Sequence, residues 1–370
     1  MNVSKTKVIV FEPRRTECPP FIFEGQIIER VEIFKYLGIA FHGNRGLSCA
    51  MEHLCNSARK ALFAMYGRCH EMHISCPTMQ STLFDALVRP ILSYCSEVWV
   101  ILGGKVAMQQ LEQVYTQFLR QILGVPTTTS TKFVYAEFGK LPLKHSWLQS
   151  SLQYLSRLQQ MDDNRLCKVA FQADMQLGLQ WFSGIKDELR QHDIRMPRSL
   201  ADFNLVATCR ALKDSFILKG MTAEPNNQLQ CTYFSMKTEF RWEPYITHAK
   251  SKTVRTTLAR FRTGRHWLQV CMGRRHQVDY AQRRCPTCTD CIEDEDHAIF
   301  HCRTYTQQRL LYADLFESAH NLRSFLVSNP PHSVAAFLTD CHNVRLFGQR
   351  DTELDSIMSL DHDPYDSDTV

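Results

Sequence analysis

Three cysteines, Cys285, Cys288 and Cys291, fall within seven residues, and after a run of acids come His297, His301 and Cys302. Thiolates and imidazoles at such spacing are metal-ligand chemistry. A Cys-x2-Cys pair on a tight turn offers two sulfurs to one ion, and a later His and Cys can close the set. Cys285, Cys288, His297 and Cys302 make a closed, tetrahedral Cys3His arrangement suited to one structural zinc ion, whose binding would contribute folding energy rather than catalysis. Pro286 stiffens the turn, and Glu293, Asp294, Glu295 and Asp296 stand where they would suit the positive end of a short helix. Alternatives stay open. Cys291 makes a second Cys-x2-Cys pair and is a substitute for Cys288. His301, four residues after His297 on one helical face, is a substitute for either late ligand. The C-x2-C-x2-C run also suits an iron–sulfur cluster, although the nearby fourth Cys followed by Pro is missing. Unliganded surface thiols at this density would be an oxidation hazard.

Immediately upstream, residues 250–284 carry ten Lys or Arg against a single acid, Asp279. They are Lys250, Lys252, Arg255, Arg260, Arg262, Arg265, Arg274, Arg275, Arg283 and Arg284. Phe261, Trp267 and Tyr280 are interleaved. Cations neutralise phosphates and release counterions, and aromatic rings stack on unpaired bases, so the segment reads as a strip for RNA or DNA. The plainer alternative is a solvated helix face, with Phe261 and Trp267 in the core.

The elements that must hold these residues are mainly helical. Leu47, Met51, Leu54, Ala58, Ala61, Leu62 and Met65 recur at three- and four-residue spacing, which predicts a helix with one buried face. Pro77 suits the first turn of the next helix, and Pro90 stops or kinks it. Val106, Leu111, Val114, Phe118, Leu119 and Ile122 mark another helix ending at Gly124. Further helical stretches fall near 144–160, 164–191, 197–219, 249–263 and 305–327, and residues 222–228 read as a linker. Before residue 45 the period is that of strands, with a hairpin through Gly25. Tyr36 and Leu37 are expected to pack this β region onto the first helix, with Gly38 relieving the backbone.

Bulk composition narrows the class. The chain of 370 residues is 44% hydrophobic and 22% charged, as in soluble globular proteins. Its most apolar stretch, residues 83–104, is interrupted by Asp85, Arg89, Pro90 and Glu97, which excludes a membrane span there. The N-terminus has no apolar core of signal-peptide length, so the 15 cysteines are expected to be thiols and metal ligands in a reducing nuclear or cytoplasmic compartment. Seven of the 38 acids lie in residues 351–370, and without them the net charge of +5 becomes +12. That acidic tail is expected to be disordered, leaving a basic body that favours an anionic partner.

Read in order, several stretches resemble the C-terminal half of non-LTR retrotransposon reverse transcriptases. "NVSKTKVIVF" is similar to the segment that follows their catalytic loop, and "VEIFKYLGIAF" to the strand pair that grips the primer end. "LFDALVRPILSYCSEVW" and "FLRQILGVP" look like thumb helices. "LARFRTGRHWLQV" with "CPTC…EDEDHAIFHCRTYTQQR" is similar to the terminal Cys/His module. The resemblance spans roughly residues 2–310. It implies a β-hairpin palm and primer-grip remnant over 1–45, a helical thumb-like domain over 46–221 and a basic helical region over 229–328 containing the zinc module at 285–302, while the acidic tail at 351–370 is read from its charge alone.

The same resemblance places the family's catalytic aspartates upstream of Lys5 and Lys7, so the chain is expected to bind nucleic acid without extending it. Lys5 and Lys7 then read as exposed strand-end lysines. Asp162–Asp163 imitates the missing site only superficially, since it stands between helical stretches and reads as a solvated helix end. Tyr312–Leu315 lacks the second Asp of a polymerase turn. The expected partners are RNA or DNA, with a palm-containing chain or a second copy as further partners, and no membrane. The competing function is a zinc-stapled helical protein-interaction module, or a decayed fragment with no selected role.

Overall fold

The computed structural model describes residues 6–11, 19–249 and 251–358, with side chains described through residue 347. The chain is mainly α, with a few short strands in two-stranded sheets. Among the described residues, no helix is long and apolar enough to cross a membrane. The chain divides into two compact units, one of residues 1–119 with 139–220, the other of residues 120–138 with 221–370. The second unit thus takes a segment from the middle of the region that the sequence suggested as one thumb-like domain.

In the first unit, Ile22–Phe23 and Gln26–Ile27 form a hairpin about Glu24-Gly25, and Ile33–Tyr36 pairs with Ile39–His42 about Leu37-Gly38. Leu37 and Gly38 both have positive φ, 48° and 87°, the backbone of a tight turn matched to strand twist. The turn changes one expectation. Tyr36 and Leu37 are 60% and 73% exposed, while Ile39 and Ala40 are buried. The reversal at Leu37-Gly38 sends the first two outward, and the returning strand contacts the helix Ser48–Glu71 in their place. That helix buries Met51, Leu54, Ala58, Leu62 and Met65, as its spacing predicts.

Pro77 opens the helix Pro77–Leu87, and Pro90 lies in the short turn Arg89–Leu92 that follows. Packing here is aromatic, with Phe84 stacked on Phe118 at 4.2 Å and Trp99 edge-on to Trp147 at 4.8 Å. Asp162 and Asp163 are exposed between the helices Leu143–Gln160 and Leu166–Leu177.

The second unit is organised around a buried charge network. Glu137, at the end of the helix Thr131–Glu137, is fully buried. Its carboxylate accepts from Arg262 Nε at 3.0 Å, Tyr233 Oη at 2.9 Å and Tyr245 Oη at 2.7 Å. Arg262 Nη2 lies 3.2 Å from Glu243 Oε2, and Glu243 pairs with the buried Lys237. Burial alone would raise the Glu137 pKa; the Arg262 guanidinium outweighs it and holds the carboxyl below its ordinary value. These bonds attach residues 120–138 to residues distant in sequence.

Gly124 ends the helix Lys105–Leu123 with φ of 70°, and a Cβ there would collide with the Thr256 side chain. The last helix, Pro331–Met358, runs on through residues 351–358, the first part of the segment expected to be disordered. A helix nucleated by its packed first turns extends at little cost. Residues 359–370 of that expected tail lie outside the described residues.

Candidate metal centre

Residues 283–293 double back on themselves. Cys285 N donates to the Cys291 carbonyl at 2.8 Å and Glu293 N to the Arg283 carbonyl at 2.9 Å, closing a narrow knuckle. Thr289, at positive φ, makes the turn. The Cys285 and Cys288 sulfurs emerge on its inner side, where Cys288 N donates to Cys285 Sγ at 3.5 Å.

Opposite them, residues His297–His301 form a single π-helical turn, closed by Cys302 N donating to the His297 carbonyl at 2.7 Å. An α-turn closes from residue i+4; this wider turn closes from i+5, so His297 and Cys302 converge on one side. The ligand atoms of Cys285, Cys288, His297 and Cys302 all lie within 4.8 Å of one another, a group that could hold a metal ion. Cys285 Sγ is 3.6 Å and Cys288 Sγ 4.0 Å from Cys302 Sγ. Sulfurs bound tetrahedrally to one ion at the usual Zn–S length would be about 3.8 Å apart. The buried His297 Nε2 has no hydrogen-bond partner among the described residues, as expected of an imidazole nitrogen reserved for a ligand. The four residues therefore fit a tetrahedral ion.

The two alternatives at single positions fall outside this group. Cys291 is exposed and contributes its main-chain carbonyl to the knuckle. His301 is exposed, with its Nε2 3.4 Å from Asp296. Protonation differs among Cys285, Cys288 and His297. Burial pushes the Cys285 thiol up to about 12. Burial also acts to raise Cys288, but backbone donation from Arg303 N–H and its sulfur neighbours bring it below the ordinary thiol value. Burial lowers His297, which favours the neutral, ligating imidazole.

The acid run works differently from the expected helix-terminus cluster. Only Asp294 caps, accepting from His297 N at 2.8 Å. Glu293 and Glu295 are instead buried, each against a partner distant in sequence. Glu293 is fully buried, with its two oxygens each 3.2 Å from Arg345 and with Gln269 N donating to Oε2 at 2.9 Å. Glu295 sits 2.8 Å from His266 Nε2. Tyr305, just beyond Cys302, accepts from Trp267 Nε1 at 3.3 Å. Glu293, Glu295 and Tyr305 thus fix the knuckle to the helices Gln269–Arg275 and Pro331–Met358 and to the segment at His266 and Trp267. Nothing in the sequence marked Arg345, His266 or Glu293 for this role, since each partner lies 29 or 52 residues from its mate.

The basic strip divides. Lys252, Arg260, Arg275 and Arg284 are exposed, and Lys250 lies outside the described residues. Arg265, Arg274 and Arg283 are half-buried and donate to main-chain carbonyls at Thr128, Gly264 and Val278. Arg255 and Arg262 are buried, the first with Nε on the Ile122 carbonyl at 2.8 Å, the second inside the Glu137 network. These two were expected on a binding surface. They stand seven residues apart, two helical turns, on the face that also carries Leu258 and Phe261. Phe261 is buried as expected, and Trp267 only in part. No family model, curated protein or solved structure matches the chain.

Proposed function

We propose that this chain binds nucleic acid, RNA or DNA, through a basic surface held in shape by one structural zinc ion on Cys285, Cys288, His297 and Cys302. Its resemblance to the C-terminal half of non-LTR retrotransposon reverse transcriptases, carried by the motifs quoted above, supports a retroelement origin. One observation carries the binding reading. Lys252, Arg260, Arg265, Arg275 and Arg284 pair with no carboxylate among the described residues, in the same unit as the metal-ligand group. Cations kept without counter-charges favour a polyanionic partner. Zinc is preferred because three thiolates and one imidazole, with no ligand position left open, are its structural donor set. No catalytic residue is assigned, and the exposed Asp162–Asp163 turn is read as a helix connection. Such a protein would act in the nucleus or cytoplasm.

Anisotropy titration of labelled RNA and DNA, at two salt concentrations and with or without chelator, tests this. Affinity falling steeply with salt and with loss of metal is expected; no binding at micromolar protein and low salt rejects it.

A second reading has its own observation. Ile33, Tyr36, Leu37 and Phe63 are 53%, 60%, 73% and 63% exposed in the first unit. Exposed apolar side chains of this kind suit a protein partner, either a palm-containing chain or a second copy. Light scattering across a dilution series distinguishes self-association from a monomer.

A further inference from the structure

The second unit contains a groove of about 660 Å³, within the usual size of small-ligand clefts. It lies among the helices Lys252–Arg262, Gln269–Arg275 and Pro331–Met358. No Asp or Glu lines it, but Arg260, Arg265 and Arg275 do. A fourth cation at its wall, Arg345, is already neutralised by the buried Glu293. Arg260 is anchored by Nε to the Gly124 carbonyl at 2.9 Å. The buried Arg265 Nε has no hydrogen-bond partner among the described residues. Burial, followed by the nearby Arg274 and Arg275 charges, lowers the Arg265 pKa, the mark of a cation short of an anion.

The groove also has a flat aromatic element. Trp267 stacks on His342 with centroids 4.8 Å apart and planes 24° from parallel, and its N–H is committed to Tyr305. Burial lowers the His342 pKa, so the stacked imidazole is neutral at pH 7. Cations without counter-charges beside a fixed π-surface match a phosphate joined to a heteroaromatic ring. A duplex offers its phosphates but hides its base faces within the stack, whereas a single strand offers both.

Resting on the nucleic-acid reading above, we infer that this groove takes one unpaired nucleotide of a single strand, its phosphate against Arg260, Arg265 and Arg275 and its base on the Trp267–His342 pair. The test uses the full chain loaded with zinc, a labelled single-stranded oligonucleotide, its duplex, and a free mononucleotide as competitor. Trp267→Leu is expected to weaken single-strand binding by roughly 5- to 100-fold, while Trp267→Phe restores most of it and duplex affinity changes by less than about twofold. Because Trp267 also bonds Tyr305, photocrosslinking of a bromouracil-containing strand to the unmodified protein gives an independent readout, expected at Trp267 or His342. Equal losses for strand and duplex, or cross-links confined to other segments, overturn the groove while leaving nucleic-acid binding intact. Displacement of the strand by mononucleotide at comparable concentration also overturns it, in favour of a free nucleotide. Absence of binding to either form rejects this inference together with its parent.

Discussion

His297 and Cys302 face the same point because the chain between them makes one π-helical turn, with the Cys302 amide on the His297 carbonyl at 2.7 Å. In an ordinary α-turn the residue above His297 would be His301. The extra residue in the turn therefore selects the fourth ligand. It explains why the exposed His301 pairs with Asp296 while Cys302 is buried beside Cys285.

Metal analysis should separate these positions. Purified protein is expected to carry about one equivalent of zinc, as a single tetrahedral site requires. Cys285→Ser and His297→Ala should lose it, whereas Cys291→Ser and His301→Ala should retain it. Unchanged metal content in Cys285→Ser would reject the site.

Metal binding should release protons. With its pKa pushed up to about 12 by burial, the Cys285 thiol is protonated at neutral pH and must lose its proton to ligate. Zinc affinity should consequently rise with pH. Competition with a chromogenic chelator between about pH 6 and pH 8 reads the slope, and a flat profile would contradict thiolate ligation.

Glu137→Gln should destabilise the second unit by about 3–5 kcal/mol, because Arg262 would be left buried with too little counter-charge. The pH dependence follows from the sign of the shift. The folded Glu137 pKa lies below its ordinary value, so its contribution is complete above that value and is lost as pH falls through the folded pKa. Acid unfolding should accordingly be less steep in the variant, as measured by circular dichroism.

Surface and buried arginines should differ in salt dependence. Arg260→Gln or Arg275→Gln is expected to reduce the slope of log affinity against log salt by about one while leaving thermal stability near that of the parent. Arg262→Gln should lower the melting temperature, with any loss of binding following from unfolding. Parallel titrations and melting curves on the three variants decide whether the exposed cations hold phosphates.

Much of the local structure was legible in the residues themselves. Apolar spacing from Leu47 to Met65 specifies a helix and its buried face, Pro77 and Gly124 mark ends, and Cys285-x2-Cys288 identifies a thiolate pair on a turn. These signals survive because they depend on neighbours a few residues away. Two things required the folded chain. The late ligand pair depends on a π-turn whose shape follows packing rather than periodicity. The fate of each arginine depends on distant partners: Glu137 is 125 residues from Arg262 and draws it inside, while Arg260, two residues earlier, bonds a main-chain carbonyl and stays at the surface. Sequence spacing reports the face of a helix. Only tertiary structure decides whether a charge meets water or a buried counter-charge, because the cost of desolvating it is offset by partners that sequence proximity does not reveal.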